Sequence, residues 1–256
     1  MADRFLTARW RHLVMLNYRV NPALLEDRVP RGTRLDPDGG EHWVSLVGFL
    51  FLDTALLGIP VPLHRNFEEV NLRFYVARDV PDAKRDAPVR RGVAFIKELV
   101  PKSAIATVAR LVYNENYVSL PMEHRLLYDG REVAADTTLL DGTRVEYDWG
   151  HGSERGRLAA TVAGSPHAAE RGSHPHYIAE HYWGYAAQRD GGTVEYEVEH
   201  PPWRVWEARG PTFLANIPAL YGQEWHDVLS REPDSAFIAE GSEVTVFRGV
   251  RLDLDR

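Results

Sequence analysis

The longest apolar run in the chain covers residues 43–63, WVSLVGFLFLDTALLGIPVPL. Its length is close to the roughly 20 residues that a membrane helix requires. However, Asp53 lies in its middle, a glycine and two prolines interrupt its second half, and no basic cluster flanks it. These features favour a buried strand over residues 43–51, followed by a loop, and they argue against a membrane helix.

The composition excludes several classes of protein and of functional site. The chain has 256 residues and a formal net charge of −7, with a sequence pI of about 5.9. It is long enough to bury a sizeable core, and an acidic chain is a poor match for nucleic acid as its main partner. There are no cysteines, which excludes disulfides, thiol catalysis and cysteine-bound zinc. The first residues lack the apolar stretch of a secretion signal, and we expect a cytoplasmic protein without membrane contact.

Most of the chain alternates apolar and polar residues as β-strands do. Strands are predicted over residues 10–19, 43–51, 67–77, 92–98, 117–128, 131–138, 143–149, 157–163, 193–200 and 243–252. Helices are predicted over residues 23–28, 103–112, 175–188 and part of 211–221. No linker or repeat divides the chain. We therefore expect a single domain over residues 1–256 that is mainly β (α+β), an antiparallel barrel or curled sheet with a few peripheral helices.

The run FEEVNLRFYVA, residues 67–77, has two distinct faces as a strand. One face is apolar apart from its first residue, and the other carries Phe67, Glu69, Asn71, Arg73 and Tyr75. This second face is either exposed to solvent, as on many half-buried sheets, or it lines the interior of a barrel. In the interior, its polar groups must pair with one another or with a ligand. A carboxylate there is suited to general base catalysis.

Two other groups of polar residues, the glutamates of strand 193–200 and the histidines, are interpreted without a functional site. Three glutamates share one face of the strand, which favours a solvated surface: they are Glu195, Glu197 and Glu199. Six histidines lie between residues 151 and 200, and no two have the i, i+4 spacing of the HExxH zinc helix. We interpret these histidines as surface or capping residues, and we expect no metal site and no cofactor. A histidine metal site is the alternative.

Five segments spread over nearly the whole chain carry a family resemblance: WRHLVMLNYRVNPALLEDRVPRGTRLD, HWVSLVGFLF, FEEVNLRFYV, RGVAFIKEL and EVEHPPW. Together they resemble the YqjF-like family, whose function is not established and which is placed in the acetoacetate decarboxylase-like superfamily. The resemblance implies a cone-like antiparallel β-barrel with an enclosed cavity and with helices packed outside.

The resemblance also implies positions for site residues. The decarboxylases act through a lysine that forms a Schiff base with a β-keto acid, beside a second lysine that lowers its pKa. These two positions correspond to Tyr117 and Val118, which cannot form an imine. Arg11 corresponds to the pocket arginine and Glu69 to one catalytic glutamate. The position of the other glutamate lies near Val44, so this carboxylate is expected to be missing.

Two functional hypotheses follow. The first is an enzyme acting on a small organic acid or carbonyl compound by proton transfer, hydration, dehydration or decarboxylation. In it Glu69 is the base, Arg11 or Arg73 binds a carboxylate or enolate, and Tyr117 donates a proton or hydrogen bond. The other predicted substrate-binding residues are Asn71, Tyr75 and Asn116.

The second hypothesis is a non-catalytic protein that binds a small ligand in the same barrel, which the missing lysine pair favours. Lys97, predicted on one strand face with Val93 and Phe95, is a lesser candidate for an imine-forming lysine. A small organic molecule is the expected partner in either case, and assembly into a homo-oligomer is possible.

Overall fold

The computed structural model describes residues 3–60, 64–80, 89–101, 116–151 and 155–253. Its strands are β1 (Arg4–Arg19), β2 (Arg34–Leu35), β3 (Trp43–Leu56), β4 (Ile59–Pro60), β5 (Phe67–Asp79), β6 (Val89–Val100), β7 (Tyr117–Ser119), β8 (Met122–Tyr128), β9 (Arg131–Glu132), β10 (Arg144–Trp149), β11 (Gly156–Ala168), β12 (Trp183–Ala187), β13 (Thr193–Glu199), β14 (Arg204–Leu214), β15 (Ser235–Phe247) and β16 (Val250–Arg251). Its helices are α1 (His174–Ala179), α2 (Ile217–Leu220) and α3 (His226–Leu229). The helix predicted over residues 103–112 lies outside the described residues.

The strands form one sheet that returns on itself. Its order is β16-β13-β12-β6-β5-β3-β1-β15-β14-β11-β10-β8-β9, and β13 also pairs with β15. The pairs are antiparallel except for β6 with β7 and β6 with β12. The ring is uneven, because β1 and β3 pair along most of their length whereas β13 and β15 meet at only two positions. The fold is therefore mainly β with a few short helices, as predicted.

Side-chain alternation gives the ring an inner and an outer face, and β5 shows this most clearly. Val70, Leu72 and Phe74 of β5 belong to the outer core, which packs against β8, β10 and β11. Phe67 and Tyr75 belong to a second, inner cluster with residues of β1, β3 and β15. The two faces predicted for residues 67–77 are therefore both buried, and the second one faces the interior of the ring.

The apolar run at residues 43–63 contains a buried strand, as predicted, but the strand continues to Leu56. Asp53 has a left-handed φ of 54°, and its exposed carboxylate pairs with Arg9 at 2.6 Å and Arg65 at 2.9 Å. This local distortion turns the single charge of the run outwards, so the strand stays apolar inside. In the described part of the chain, no helix is long and apolar enough to cross a membrane.

The helix predicted over residues 175–188 is largely wrong. Ser173 caps α1 as expected, accepting from the His176 amide at 3.3 Å, but the helix ends at Ala179. Residues 183–187 form β12 instead, which pairs with β13 and, in parallel, with β6. At Gly184 a Cβ would overlap the Tyr196 ring of β13, so glycine permits this close approach. Pairing on both sides outweighs the local helical pattern.

Other predictions need smaller corrections. Residues 23–28 form two 3-10 turns rather than one helix, and the strand predicted over residues 157–163 is part of the longer strand β11, which is paired on both sides. The predicted solvated face of strand 193–200 is wrong for Glu195. Its side chain is buried and binds Arg90 and, at 3.1 Å, Arg78.

Candidate functional site

A cavity of about 220 Å³ lies inside the ring of strands. Its wall is largely apolar and aromatic, with residues from β1, β3, β5, β6, β12, β13 and β15: Phe5, Leu6, Trp10, Leu13, Phe49, Phe51, Leu56, Phe67, Val93, Phe95, Trp183, Gly184, Tyr196, Val198 and Val246. The polar lining residues are Thr54, His64, Glu69, Asn71, Arg73, Glu98, Tyr117 and His181. An apolar cavity with a few converging polar groups is the usual form of a small-molecule site.

Strand β5 supplies three polar residues to this cavity from alternate positions. Glu69, Asn71 and Arg73 are 4%, 2% and 8% exposed, so all three are removed from solvent. Asn71 Nδ2 donates to Glu69 Oε1 at 3.0 Å, which orients the carboxylate. Arg73 Nη2 donates to the carbonyl oxygen of Ile178 at 3.0 Å, just before α1 ends.

A β-bulge in β6 decides which of its residues join them. Leu72 pairs with Lys97 but Arg73 pairs with Phe95, so Ile96 is an extra residue on β6. Past the bulge, Glu98 pairs with Asn71 on one side and with Tyr117 of β7 on the other. Directly paired residues share a sheet face, so Asn71, Glu98 and Tyr117 form one row across three strands.

The same bulge turns Lys97 away from the cavity, so Lys97 is not placed to act as an imine-forming lysine there. Simple alternation predicts Lys97 on the face of Val93 and Phe95, and this is wrong because the extra residue reverses the alternation. Lys97 pairs with Leu72, whose side chain belongs to the outer core. Glu98 is the cavity residue that the sequence pattern missed. Only the tertiary register reveals it.

His181 is the second missed residue. It follows α1, is 8% exposed, and lies beside the rings of Tyr75 and Tyr177, with centroids at 4.8 and 5.5 Å. Burial, followed by the positive charge of Arg73, lowers the pKa of His181 well below its usual value. The imidazole is therefore neutral near pH 7. The expectation of a surface or capping histidine is wrong here, because the predicted helix ends early and the chain turns inwards.

The structure brings together Glu69, Asn71, Arg73 and Tyr117, but three other predicted site residues lie elsewhere. Arg11 does not line the cavity, although Trp10 and Leu13 on either side of it do. A register shift follows Arg11 in its pairing with β3, and the adjacent His12 has a φ of 59°. This irregularity lets Trp10 and Leu13 both face inwards, so the resemblance and the geometry differ at Arg11.

Tyr75 and Asn116 are engaged in structural contacts. The Tyr75 hydroxyl lies 2.5 Å from Ser45 Oγ, at the inner end of a hydrogen-bonded chain. The chain continues through Asn17, Ser235 and His174 to the carboxylate of Asp38. Asn116 is exposed, and its Nδ2 donates to the Ile96 carbonyl at 3.1 Å. It thus secures the bulge rather than lining the cavity.

Two polar atoms of the β5 group are buried without a hydrogen-bond partner among the described residues. They are Arg73 Nε, a donor, and Asn71 Oδ1, an acceptor. Leaving a buried polar group unpaired costs about 1–3 kcal/mol. The pair therefore suits a ligand that offers an acceptor to Arg73 and a donor to Asn71. In the same described ranges, no group of three histidine and acidic side chains is arranged to hold a metal ion.

Comparison with known proteins identifies the family and the fold of the chain. The model of the DUF2071 family, "Uncharacterized conserved protein", matches residues 7–243. The chain belongs to this family. The uncharacterized protein YqjF of Bacillus subtilis (strain 168) is 22% identical over 236 residues, covering 86% of this chain and 88% of YqjF.

Solved structures show which fold this family has. An acetoacetate decarboxylase-like enzyme from Sphingomonas wittichii RW1 has a TM-score of 0.63 at 14% identity, over 98% of this chain and 94% of that one. The acetoacetate decarboxylase of Legionella pneumophila has a TM-score of 0.64 at 12% identity, over 97% and 87%. The enduracididine biosynthesis enzyme MppR, in complex with pyruvate, has 0.63 at 14% identity, over 99% and 91%. At these identities the likeness shows the fold, and the chemistry must be argued from the cavity itself.

Proposed function

We propose that this protein binds a small organic acid or carbonyl compound in the ring cavity and catalyses proton transfer on it, as in enolisation, hydration, dehydration or decarboxylation. One observation carries the proposal: a largely apolar and aromatic cavity brings together five buried polar residues, namely Glu69, Asn71, Arg73, Glu98 and Tyr117. We take the uneven ring to be a form of the cone-like barrel that the family resemblance implies.

Each residue has a role that its contacts support. Glu69, held by the Asn71 amide, is the general base. Arg73 binds the carboxylate or enolate oxygen through its buried Nε–H, because this donor has no partner among the described residues. Tyr117 donates a hydrogen bond, and Glu98, in its row, is the second carboxylate available to exchange a proton. Arg73 takes the place that the resemblance gave to Arg11.

The described residues offer no lysine in the wall of the cavity. Lys97 is turned to the outer face by the bulge, and lysines 84 and 102 lie outside the described residues. Tyr117 and Val118 stand where the resemblance expects a lysine pair. We therefore propose acid–base chemistry rather than an imine intermediate. The structure of MppR, an enzyme of similar fold, contains pyruvate and supports the choice of ligand class.

The test is a thermal-shift screen of short keto, hydroxy and enoic acids, followed by turnover assays on each compound that binds. A ligand at about a hundred times its Kd adds roughly 2.7 kcal/mol, which raises the Tm by about 5–11 °C for a chain of this size. Glu69→Gln is expected to reduce turnover by about 10²–10⁴-fold. Arg73→Met is expected to weaken binding by about 10–150-fold.

Glu68→Gln is the matched control, because Glu68 is the neighbour of Glu69 on the outer face, where its carboxylate contacts His124 at 2.6 Å. It is expected to leave both binding and turnover unchanged. Normal turnover in the folded Glu69→Gln variant would remove Glu69 from the mechanism. Equal effects of Glu68→Gln and Glu69→Gln would indicate a loss of stability instead of a site.

A non-catalytic binding protein is the second candidate, and Tyr117 at a lysine position favours it. The two candidates differ in the fate of the ligand. If mass spectrometry recovers each bound acid unchanged after prolonged incubation with wild-type protein, and exchange of its α-hydrogens in D₂O does not accelerate, the protein is a binder. Accelerated exchange without net conversion already demonstrates proton transfer by the enzyme.

A further inference from the structure

We infer that the natural ligand is an amphipathic acid, with a polar head at the β5–β6–β7 row and an unbranched apolar tail that extends towards the opposite end of the cavity. This deepens the proposed function and rests on it, because it specifies the substrate class of the same site. The inference comes from the order in which polar and apolar residues follow one another along the paired strands.

The register places the lining residues in successive rows across the sheet. Trp10 pairs with Phe51, and Phe51 pairs with Phe67, so these three aromatic residues form one row. The next row contains Phe49 and Glu69, and the row after it contains Asn71 and Glu98. Glu69, Asn71 and Glu98 therefore lie to one side of the aromatic row, along the direction of the strands.

The distance between the aromatic row and the row of Asn71 follows from strand geometry. Phe67 and Asn71 are four residues apart on β5, which is about 13 Å at roughly 3.3 Å per residue. Pyruvate or a molecule of similar size at Asn71 and Arg73 does not reach the aromatic row. A tail of several carbons does, and it contacts the Phe51 and Phe67 rings.

The aromatic row is continuous and well packed. The Phe51 and Phe67 rings stack with centroids 4.5 Å apart, and Trp10 meets Phe51 edge-on at 5.6 Å. Beyond it Leu6 pairs with Leu56, both half-buried and both lining the cavity. Exposure thus rises from Asn71 through Phe51 to Leu56. The polar residues form the deep end, and the tail points towards the more exposed end.

Binding of homologous ligands gives the decisive measurement. Titration calorimetry of the wild-type chain with pyruvate, 2-oxobutanoate, 2-oxohexanoate, 2-oxooctanoate and 2-oxododecanoate measures the Kd as a function of tail length. Each methylene is expected to tighten binding about fourfold until the tail fills the cavity, with a negative heat-capacity change. The volume of about 220 Å³ then sets a maximum, beyond which affinity falls. A parallel series of 1-alkanols has the tail without the acid head.

The outcomes separate the two proposals. Affinity that is the same for every 2-oxo acid would overturn the tail and leave the proposed function standing. Alkanols that bind with a length dependence, together with no binding of any acid, would overturn the proposed function and keep an apolar site. No binding by either series would overturn both. Affinity that rises with tail length only when the acid head is present supports both.

Two variants locate the tail. Phe67→Leu is expected to weaken 2-oxooctanoate by about tenfold, while pyruvate changes by less than about twofold. Phe74→Leu is the matched control on the same strand, because Phe74 is buried in the outer core. If either variant fails to fold, Leu56→Asn at the half-buried end makes the same distinction. Identical losses for long and short acids in Phe67→Leu or Leu56→Asn would contradict the assigned direction.

Discussion

Two regions of the sheet bury charged residues, but they do so in different ways. In the first, outside the cavity, Glu146 and Asp148 of β10 are 4% and 2% exposed and are surrounded by arginines. This outer network lies on the face of β10 that points away from the outer core. Arg157 binds both oxygens of Asp148, at 2.7 and 3.0 Å, and Arg144 and Arg125 bind the two oxygens of Glu146 at 2.8 Å. On the inner face, Arg73 and Asn71 keep polar atoms without partners among the described residues.

The difference separates structure from function. Glu146 Oε2 and Arg125 Nε lack a hydrogen-bond partner among the described residues, but the charges of the network are balanced by ion pairs. Buried carboxylates whose charge is balanced by arginines of the same fold need no further ligand, and removing one partner leaves a buried charge. Buried polar atoms that the fold leaves unpaired beside a cavity are an unsatisfied cost that a ligand can remove. The outer network therefore holds strands together, whereas the inner row is where we propose that a ligand binds.

The largest expected effect is on the outer network. Asp148→Asn removes one of the two carboxylates that Arg157 and Arg125 contact and is expected to lower the free energy of unfolding by about 2–3 kcal/mol, because Glu146 remains and the arginines are partly exposed. Urea unfolding measures this loss. Asp53→Asn, in an exposed pair with Arg9, is the control and should lose less than about 1 kcal/mol. Equal losses in the two variants would end the distinction between the buried network and ordinary surface pairs.

A smaller effect concerns the dependence of stability on pH, because His12 and His181 are both buried. Burial lowers the pKa of His12 to about 4, and that of His181 falls in the same direction for the same reason. An unfolded histidine binds its proton near pH 6.5, so below that pH the unfolded state binds more protons than the folded one. The free energy of unfolding therefore decreases as pH falls from about 6.5 towards 4, by up to about 1.4 kcal/mol per pH unit for His12.

Denaturant unfolding across this pH range checks the sign and the size of this effect. His12→Gln and His181→Gln should each reduce the number of protons taken up on unfolding by about one, so that the free energy of unfolding changes less steeply with pH. Only His181→Gln should also change ligand affinity, since His181 lines the cavity and His12 does not. A pH dependence as steep as that of the wild type in both variants would show that these histidines titrate normally.

The smallest effect is expected at Arg11, where the resemblance and the structure differ. Arg11→Ala is expected to change the Kd of any cavity ligand by less than about twofold, because Arg11 does not line the cavity. Arg73→Met, in contrast, is expected to lose most of the binding. Calorimetric titration of both variants decides between the two arginines, and a loss confined to Arg11→Ala would favour the family alignment over the observed register.

The alternation of residues in the sequence was sufficient to predict the faces of a strand where that strand is regular. Strict alternation along residues 67–77 predicted that Glu69, Asn71 and Arg73 share a face, and the register of β5 confirms it. The same reasoning failed at Lys97 and missed Glu98, and the family resemblance differs from the structure at Arg11, because an irregular position in β6 and in β1 changes which side chain faces inwards. A bulge depends on the partner strand as well as on the strand itself, so a single sequence carries little trace of it.

His181 and the outer network were missed for a different reason. The run after Ser173 has a helical pattern, and only its pairing with β6 and β13 shows that the helix stops before His181. The arginines around Glu146 and Asp148 come from β8, β10 and β11, and the register of these three strands brings them together. Contacts of this kind follow from tertiary pairing, not from residue spacing.

The extra residue in β6 has a consequence for how this fold changes its chemistry over evolution. If Ile96 instead took a regular place in the ladder, the alternation of β6 would continue unbroken from Phe95, and the amine of Lys97 would take the inward position that the carboxylate of Glu98 now holds. The presence or absence of this one bulge thus separates an acidic cavity from one with a primary amine. Because side chains alternate between the two faces of a strand, a change in strand register can replace the reactive group without any substitution of the residues that line the site.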